Sequence, residues 1–472
     1  MAATAGLSLA LSIPRLAERP LWLDEAFTVG ATNELGPTLR HTGGTMALYY
    51  ALLTPWSWIS DSRFWLRLPS ALIAAATVAV VYAIGHRLGG RRMATVASSL
   101  LAASWFLSRY AMEARGYALA LLLVSVSWLG LISALAEADG GDEEASRRWW
   151  WVFAAAAVLA PLAHGLSALQ VPFQVVVLLL APGGRAFVRR LLPVLAVLFV
   201  EGIVLFAIGA GEVASWIQPL NWTQVSGFLR LLLGRETTLW VVGAAFVGGI
   251  GVSLRALRRE RTTETWLGLV PVIWALGLPL AIIAISVVRP YAASRYVLSS
   301  LPGISLVVAA LVVQIKRPVA YAAWAVLLVF LLLDQPQSVR NGLEDWPRLV
   351  HRTTTEASPG DLLLMPQHLR APFDYALEHG NTDPGLHPLS PTNPIGDPLR
   401  LYSPAKGTMV ARLLAAPPAT VWLVDRSRLD LPALKRLLAN AEVRAKYRQT
   451  GHWTYAGQLY LIRLEPRVPA QP

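Results

Sequence analysis

Apolar residues in this chain gather into long unbroken runs instead of alternating or forming one helical stripe. Runs at about 67–88, 93–112, 116–136, 149–168, 169–182, 191–210, 238–254, 266–288, 297–315 and 318–334 are separated by short polar connections. Roughly 20 apolar residues cross the hydrocarbon core of a bilayer, so these runs predict transmembrane helices. Met1–Ile13 is a shorter run, stopped by Pro14 and Arg15, and predicts a first span that is abbreviated or starts upstream. It lacks the basic start and the cleavage site of a secretory signal. The expected total is about 11 spans.

Two stretches break the pattern. Residues 14–66 mix short apolar pieces with Trp22, Asp24, Glu25, Trp56 and Trp58, which suits an outer loop with helices lying in the membrane interface. After Asp334 charges, prolines and turn residues rise, and no later run could span a bilayer. There Leu362–Met365, Val421–Val424 and Leu459–Ile462 predict short buried strands, and Met409–Ala416 and Leu431–Ala439 predict helices with apolar faces. The proline- and asparagine-rich region near 380–405 predicts a long loop. The expected organisation is a membrane module over 1–334, with outer loop 14–66, and an α/β domain over 335–472.

Composition agrees with a membrane protein: 55% of residues are hydrophobic and 15% charged, against roughly 25% charged in soluble domains. The net charge of +12 does not indicate a nucleic-acid partner, because the arginines punctuate the spans instead of forming one basic face. Gly89-Gly90-Arg91-Arg92, Arg147-Arg148, Arg185 to Arg190, Arg255 to Arg261 and Lys316-Arg317 fall on one side, the cytoplasmic one by the positive-inside rule. Parity then puts four features outside together: the loop with Asp24, the turn Glu113–Arg115, the segment 211–236 and the turn Arg289–Arg295. An odd number of spans also puts the C-terminal domain outside. Arginine outnumbers lysine 37 to 4, the bias of a GC-rich bacterial genome. With no cysteine, disulfides, thiolate metal sites and cysteine nucleophiles are excluded.

Among residues that can carry chemistry, the adjacent carboxylates Asp24 and Glu25 come first. Two acids in an aromatic, membrane-level setting cost desolvation energy unless paired or used, and burial with mutual repulsion raises one pKa towards the range of acid–base work. A solvated dipeptide or a helix-start charge pair is the alternative. Glu113-Ala114-Arg115-Gly116-Tyr117 sits at an outer turn, where an ion pair capping two helix ends competes with a ligand site. Arg289-Pro290-Tyr291 and Ser294-Arg295-Tyr296 occupy another outer turn. The arginine fork matches phosphate oxygens bidentately, with interfacial snorkelling as the alternative. Arg67 marks the outer entrance of a span, and His164 lies near the outer end of another, where a packing role competes with ligand contact. No histidine pair has metal-ligand spacing, and phosphate-loop, kinase-loop and dinucleotide motifs are absent from the sequence. An outward site has no cytosolic nucleotide supply, so a membrane-borne activated donor fits best.

Trp22-Leu23-Asp24-Glu25-Ala26, Leu48-Tyr49-Tyr50, Phe64 to Leu72 with Arg67-Leu68-Pro69-Ser70, Glu113 to Tyr117, Ser294-Arg295-Tyr296 with Leu301-Pro302-Gly303, Glu344-Asp345-Trp346 and Gly360-Asp361 follow one another in order. This series resembles the GT-C membrane glycosyltransferases, in the branch of protein O-mannosyltransferases and the lipid A aminoarabinose transferase. Two departures stand out: Gly116 replaces a usual proline, and Thr45-Met46-Ala47 replaces a His-Pro-Pro that often precedes Leu-Tyr-Tyr.

The resemblance implies a polytopic α-helical membrane protein of GT-C type with an extracytoplasmic α/β domain, in a bacterial plasma membrane. It implies an inverting transfer of a sugar from a polyprenyl-phosphate donor to a glycan, glycolipid or protein acceptor of the cell envelope. Mannose or arabinofuranose is the natural donor sugar if the source is an actinobacterium. Asp24 would be the general base, with Glu25 beside it. Arg295, Arg115, Arg67 and Tyr296 would hold the donor phosphate. Glu113, Tyr117, His164 and Arg289 would contact substrate or support those that do. Glu25 and Glu113 could orient the base, bind sugar hydroxyls or hold a divalent cation. A transporter or lipid flippase, or an inactive glycolipid-binding assembly partner, is the alternative function. Against a transporter stand the lack of internal repeats and the gathering of charges on one side.

Overall fold

The computed structural model describes residues 1–472 except 42–43, 209–216, 218, 341–342, 381–384, 396–407, 427–430 and 468–472. Part of the outer segment 211–236 and part of the 380–405 region therefore lie outside the described residues. The chain divides into two compact units: Met1–Leu16 with Leu39–Trp56 and Phe64–Val339, and Ala17–Thr38 with Ser57–Arg63 and Arg340–Pro472. Residues 17–38 and 57–63, which the hydropathy pattern leaves in the loop of the membrane module, thus cluster with the C-terminal residues.

The first unit is helical. Six described helical segments are long and apolar enough to cross a membrane: Arg63–Ala103, Tyr117–Asp139, Glu236–Arg259, Thr263–Val288, Ser294–Gln314 and Arg317–Arg340. Gly165–Leu180 is apolar but shorter. Helices also form over two further predicted runs, Glu143–Ala163 and Val188–Ile208. The 41-residue Arg63–Ala103 segment is two limbs joined at Gly89 and Gly90, whose backbone leaves the helical region. Gly90 has a φ of 70°, a conformation that side chains with a Cβ rarely adopt. The limbs fold back so closely that a Cβ on Gly85 would lie 2.8 Å from Ala94 Cα. The sequence turn Gly-Gly-Arg-Arg is therefore a hairpin between two predicted spans. Small residues also bring neighbours together elsewhere, as membrane helices require: a Cβ on Gly130 would sit 2.5 Å from Phe153 N, across the Tyr117–Asp139 and Glu143–Ala163 pair.

The second unit is built on a five-stranded sheet. Its strands are β1 (Leu362–Leu364), β2 (His387–Ser390), β3 (Val421–Arg426), β4 (Tyr447–Tyr455) and β5 (Leu459–Pro466), in the order β2-β1-β3-β5-β4. β1 pairs in parallel with β2 and β3, while β5 is antiparallel to both β3 and β4. Alternate residues feed two cores, the pattern expected of a sheet covered on both faces. Leu363, Trp422, Val424, Leu459 and Leu461 pack with Trp346, Leu349 and Phe373. Leu362, Leu364, Val421, Leu423, Ile462 and Leu464 pack with Leu413, Leu434, Leu437 and Val443. The three expected strands are β1, β3 and β5, and the expected helices are Met409–Ala415 and Leu431–Ala439. Two strands are additional. β2 interrupts the expected 380–405 loop; as an edge strand it tolerates Pro388. β4 is the other edge and carries exposed Arg448, Gln449, His452 and Thr454, so no apolar run announces it.

Candidate active site

In the first unit, the turn that ends the Trp105–Ala111 helix and starts Tyr117–Asp139 presents Arg115 and Tyr117. Arg115 Nη1 donates to Tyr50 Oη at 2.8 Å, and its guanidinium carbon lies 6.0 Å from the Tyr117 ring centre. The 3-10 turn Ser294–Ser300 brings the Arg295 guanidinium to the same ring, also at 6.0 Å. From Tyr117 a series of ring contacts runs to His164 (5.2 Å) and on to Tyr296 (5.6 Å) and Tyr291 (5.8 Å). A small cavity here is lined by Tyr117, His164, Ser167, Arg295, Tyr296 and Ser299 together with Leu121, Leu166, Leu278 and Leu298. Five residues singled out from the sequence, Arg115, Tyr117, His164, Arg295 and Tyr296, are thus brought together. Guanidinium and phenol groups with leucines among the lining suit contact with an anionic, partly apolar ligand.

The turn holds its shape through burial. Glu113, 1% exposed, pairs with Arg109 at 2.7 Å. Removing one partner of such a pair leaves a buried charge and typically costs about 3–5 kcal/mol. Gly116 is the close approach: a Cβ there would meet Ala163 O at 2.5 Å, next to His164. Proline, usual in the resembled motif, would suit the φ of −64° but would bring that same Cβ. Gly116→Ala is expected to lower stability by about 1–3 kcal/mol through overpacking. Thermal unfolding in detergent checks this, and an unchanged Tm would contradict it. Arg67 and Arg289 do not line the cavity. Arg67 is fully buried and donates from Nη1 to Leu16 O at 2.7 Å; Arg289 is exposed at the end of the Val270–Val288 helix.

In the second unit, the Leu23–Asn33 helix begins with both carboxylates in its first turn, where they complement the helix dipole. They differ in environment. Glu25 is completely buried, 4.0 Å from Arg19, and accepts a long hydrogen bond from Trp22 N (3.5 Å), the geometry of a third-position acid closing a helix start. Asp24 is half-buried. Leu23, between them and the cap, packs into the sheet core with Trp346 and Leu349. Leu23 N donates to Glu344 Oε2 at 3.0 Å, as does Trp346 Nε1 at 2.8 Å, and Arg426 Nη2 meets Glu344 Oε1 at 2.7 Å. Burial pushes the Glu344 carboxyl above its ordinary pKa, against the pull of Arg426, Trp346 and the Leu23 amide.

Sequence reasoning singled out neither Tyr50 nor Arg109 nor the Glu344–Arg426 pair as functional, although Tyr50 and Glu344 fall in the quoted motifs. Among the described residues, no group of three or more His, Asp or Glu side chains could hold a metal ion.

No protein-family model and no curated protein sequence matches the chain. Solved structures do. ArnT from Cupriavidus metallidurans bound to undecaprenyl phosphate is 12% identical, with a TM-score of 0.60 over 100% of this chain and 99% of that one. An Archaeoglobus fulgidus oligosaccharyltransferase in complex with Zn and sulfate is 13% identical, with a TM-score of 0.57 over 97% of this chain and 72% of that one. The archaeal oligosaccharyltransferase AglB, in complex with an inhibitory peptide and a dolichol-phosphate, is 11% identical at a TM-score of 0.54, over 98% and 73%. At these identities the likeness concerns architecture: the chain has the GT-C fold of a multi-pass membrane protein with a small C-terminal sheet.

Proposed function

We propose that this protein is an inverting glycosyltransferase that takes its sugar from a polyprenyl-phosphate donor. The observation that carries this reading is the cavity lined by Arg295, Tyr117, His164 and Tyr296 together with four leucines, with Arg115 beside it. Solved structures of the same fold are described with undecaprenyl phosphate and dolichol-phosphate. In the reaction, an acceptor hydroxyl gives its proton to the Asp24 carboxylate while its oxygen bonds to the anomeric carbon. The bond from that carbon to the phosphate oxygen breaks, and the electron pair leaves on the polyprenyl phosphate. Arg295 and Arg115 neutralise the growing phosphate charge in a partly dehydrated setting. Tyr296, Tyr117 and His164 shape the donor's polar head group. Glu113 keeps Arg109 and the turn in place, and Glu25 closes the helix start beneath Asp24.

Mannose and arabinofuranose are the proposed donor sugars, and an envelope glycan, glycolipid or protein the acceptor. The loop-arginine pattern supports a bacterial plasma membrane, with Asp24 and the C-terminal unit on the extracytoplasmic side. Purified protein is expected to retain radiolabelled undecaprenyl phosphate, and Arg295→Gln to weaken retention about tenfold or more, the loss of one charge-assisted contact. Equal retention by Arg295→Gln would contradict the phosphate assignment.

A further inference from the structure

The contacts within the second unit point to Glu344 as a positioning residue: we propose that its carboxylate, clamped by Arg426 and Trp346, holds the backbone at Leu23 and so aims Asp24. This rests on the assignment of Asp24 as general base and adds a role for the C-terminal residues in the reaction. Glu344 lies 320 residues beyond Asp24 in sequence, yet it accepts the Leu23 amide immediately before it. A first-turn amide has no partner inside its own helix, so a fixed external acceptor there determines how the helix starts.

The clamp is itself held on three sides. Oε2 takes two hydrogen bonds, from Leu23 N (3.0 Å) and Trp346 Nε1 (2.8 Å), and Oε1 pairs with Arg426 at 2.7 Å. Glu344 is 2% exposed, so the carboxylate has little water to turn towards. Its backbone is also gripped. Asp345 N donates to Ala456 O in the turn between β4 and β5 (3.2 Å), and Gly457, at a φ of 84°, packs so tightly that a Cβ would lie 2.6 Å from Glu344 Cγ. Arg426 ends β3, the central strand, whose other five residues are buried. A rigid sheet thus transmits its geometry through Glu344 to one peptide group. That is the arrangement a positioned base needs, because displacements near 1 Å can cost about 100-fold in rate.

Four variants of the full chain in detergent test this: Glu344→Ala, Glu344→Gln, Trp346→Phe and Asp24→Asn. Transfer is assayed in parallel from polyprenyl-phosphate [14C]mannose and [14C]arabinofuranose to an envelope extract, and amide hydrogen exchange is followed over residues 22–33. Glu344→Ala is expected to lower kcat about 100-fold at a donor KM within threefold. Its amides at the helix start should exchange at least tenfold faster, with the β3 amides unchanged. Glu344→Gln keeps an oxygen for Leu23 N and Trp346 Nε1, and should recover most of both effects.

A purely structural Glu344 would lower Tm while leaving kcat per folded molecule and local exchange as in the native protein, and that result would overturn the proposal. If Glu344→Ala does not fold, Trp346→Phe decides: it removes one of the two donors to Oε2, and unchanged exchange at the helix start would overturn the proposal. Asp24→Asn separates the two ideas. Full activity of that variant removes the base assignment. Loss of activity there with native kcat in folded Glu344→Ala removes the positioning role alone. If neither sugar is transferred, the exchange measurement still decides whether Glu344 holds the helix start.

Discussion

Asp24→Asn should abolish sugar transfer, with kcat falling about 10²–10⁴-fold, the usual contribution of a positioned general base. Asparagine keeps the size and hydrogen-bonding edge of aspartate but cannot take a proton at neutral pH, so the loss isolates the chemical step. Donor retention should be unaffected, because the proposed phosphate contacts come from other residues. The adjacent Glu25→Gln makes the contrast. Its carboxylate is completely buried beside Arg19 and turned towards the Trp22 amide. Breaking a buried pair of this kind costs about 3–5 kcal/mol, so Glu25→Gln should lower Tm while the folded fraction keeps transferring. Labelled transfer with Tm measured on the same samples distinguishes the two acids. Native activity in Asp24→Asn would overturn the base assignment; an inactive but stable Glu25→Gln would make both acids part of the chemistry.

Arg295→Gln should lower kcat about 10²–10³-fold, the loss seen when one preorganised donor to a developing oxyanion is removed. Arg295 belongs to a 3-10 turn backed by packed side chains: Ser299 Oγ accepts from Gln170 Nε2 (3.1 Å), and Ser299 O accepts from Trp274 Nε1 (2.6 Å). Its guanidinium is therefore presented by a supported turn, and the charge should be in place before the phosphate arrives. Arg295→Lys should recover only part of the rate, because an ammonium cannot reproduce the planar fork. Arg115→Gln should also lower the rate, and it removes the donor to Tyr50 Oη as well. Single-turnover transfer, compared with retention of undecaprenyl phosphate lacking a sugar, separates rate from binding. Native single-turnover rates in Arg295→Gln would remove the arginine from the reaction.

Much of the architecture was legible without coordinates, for local reasons. The apolar runs, the Gly89-Gly90 hairpin and the buried strands β1, β3 and β5 all announce themselves in a few consecutive residues. β4 did not, because an edge strand with exposed Arg448, Gln449 and His452 carries no apolar run, and β2 is hidden by Pro388. The cavity residues Tyr117, His164, Arg295 and Tyr296, with Arg115 beside them, could be gathered by span parity and resemblance. Parity assigns a side of the membrane, however, and cannot say which arginine turns inward. Arg67, the third cation expected there, is buried on the carbonyl of Leu16.

The sequence alone determined that this is a multi-span protein with a small α/β part after the last span. That follows because crossing a bilayer and satisfying every backbone group there demand long apolar helices, a condition each segment meets by itself. Only the tertiary structure decided that the helix of Asp24 starts within the core of the C-terminal unit, pinned by Glu344. It also decided that Glu25 is sealed and Asp24 half-open, and that two arginines share the ring of Tyr117. Exposure and pairing depend on which distant residues arrive beside a side chain, and neighbours 320 positions away leave no mark on local pattern.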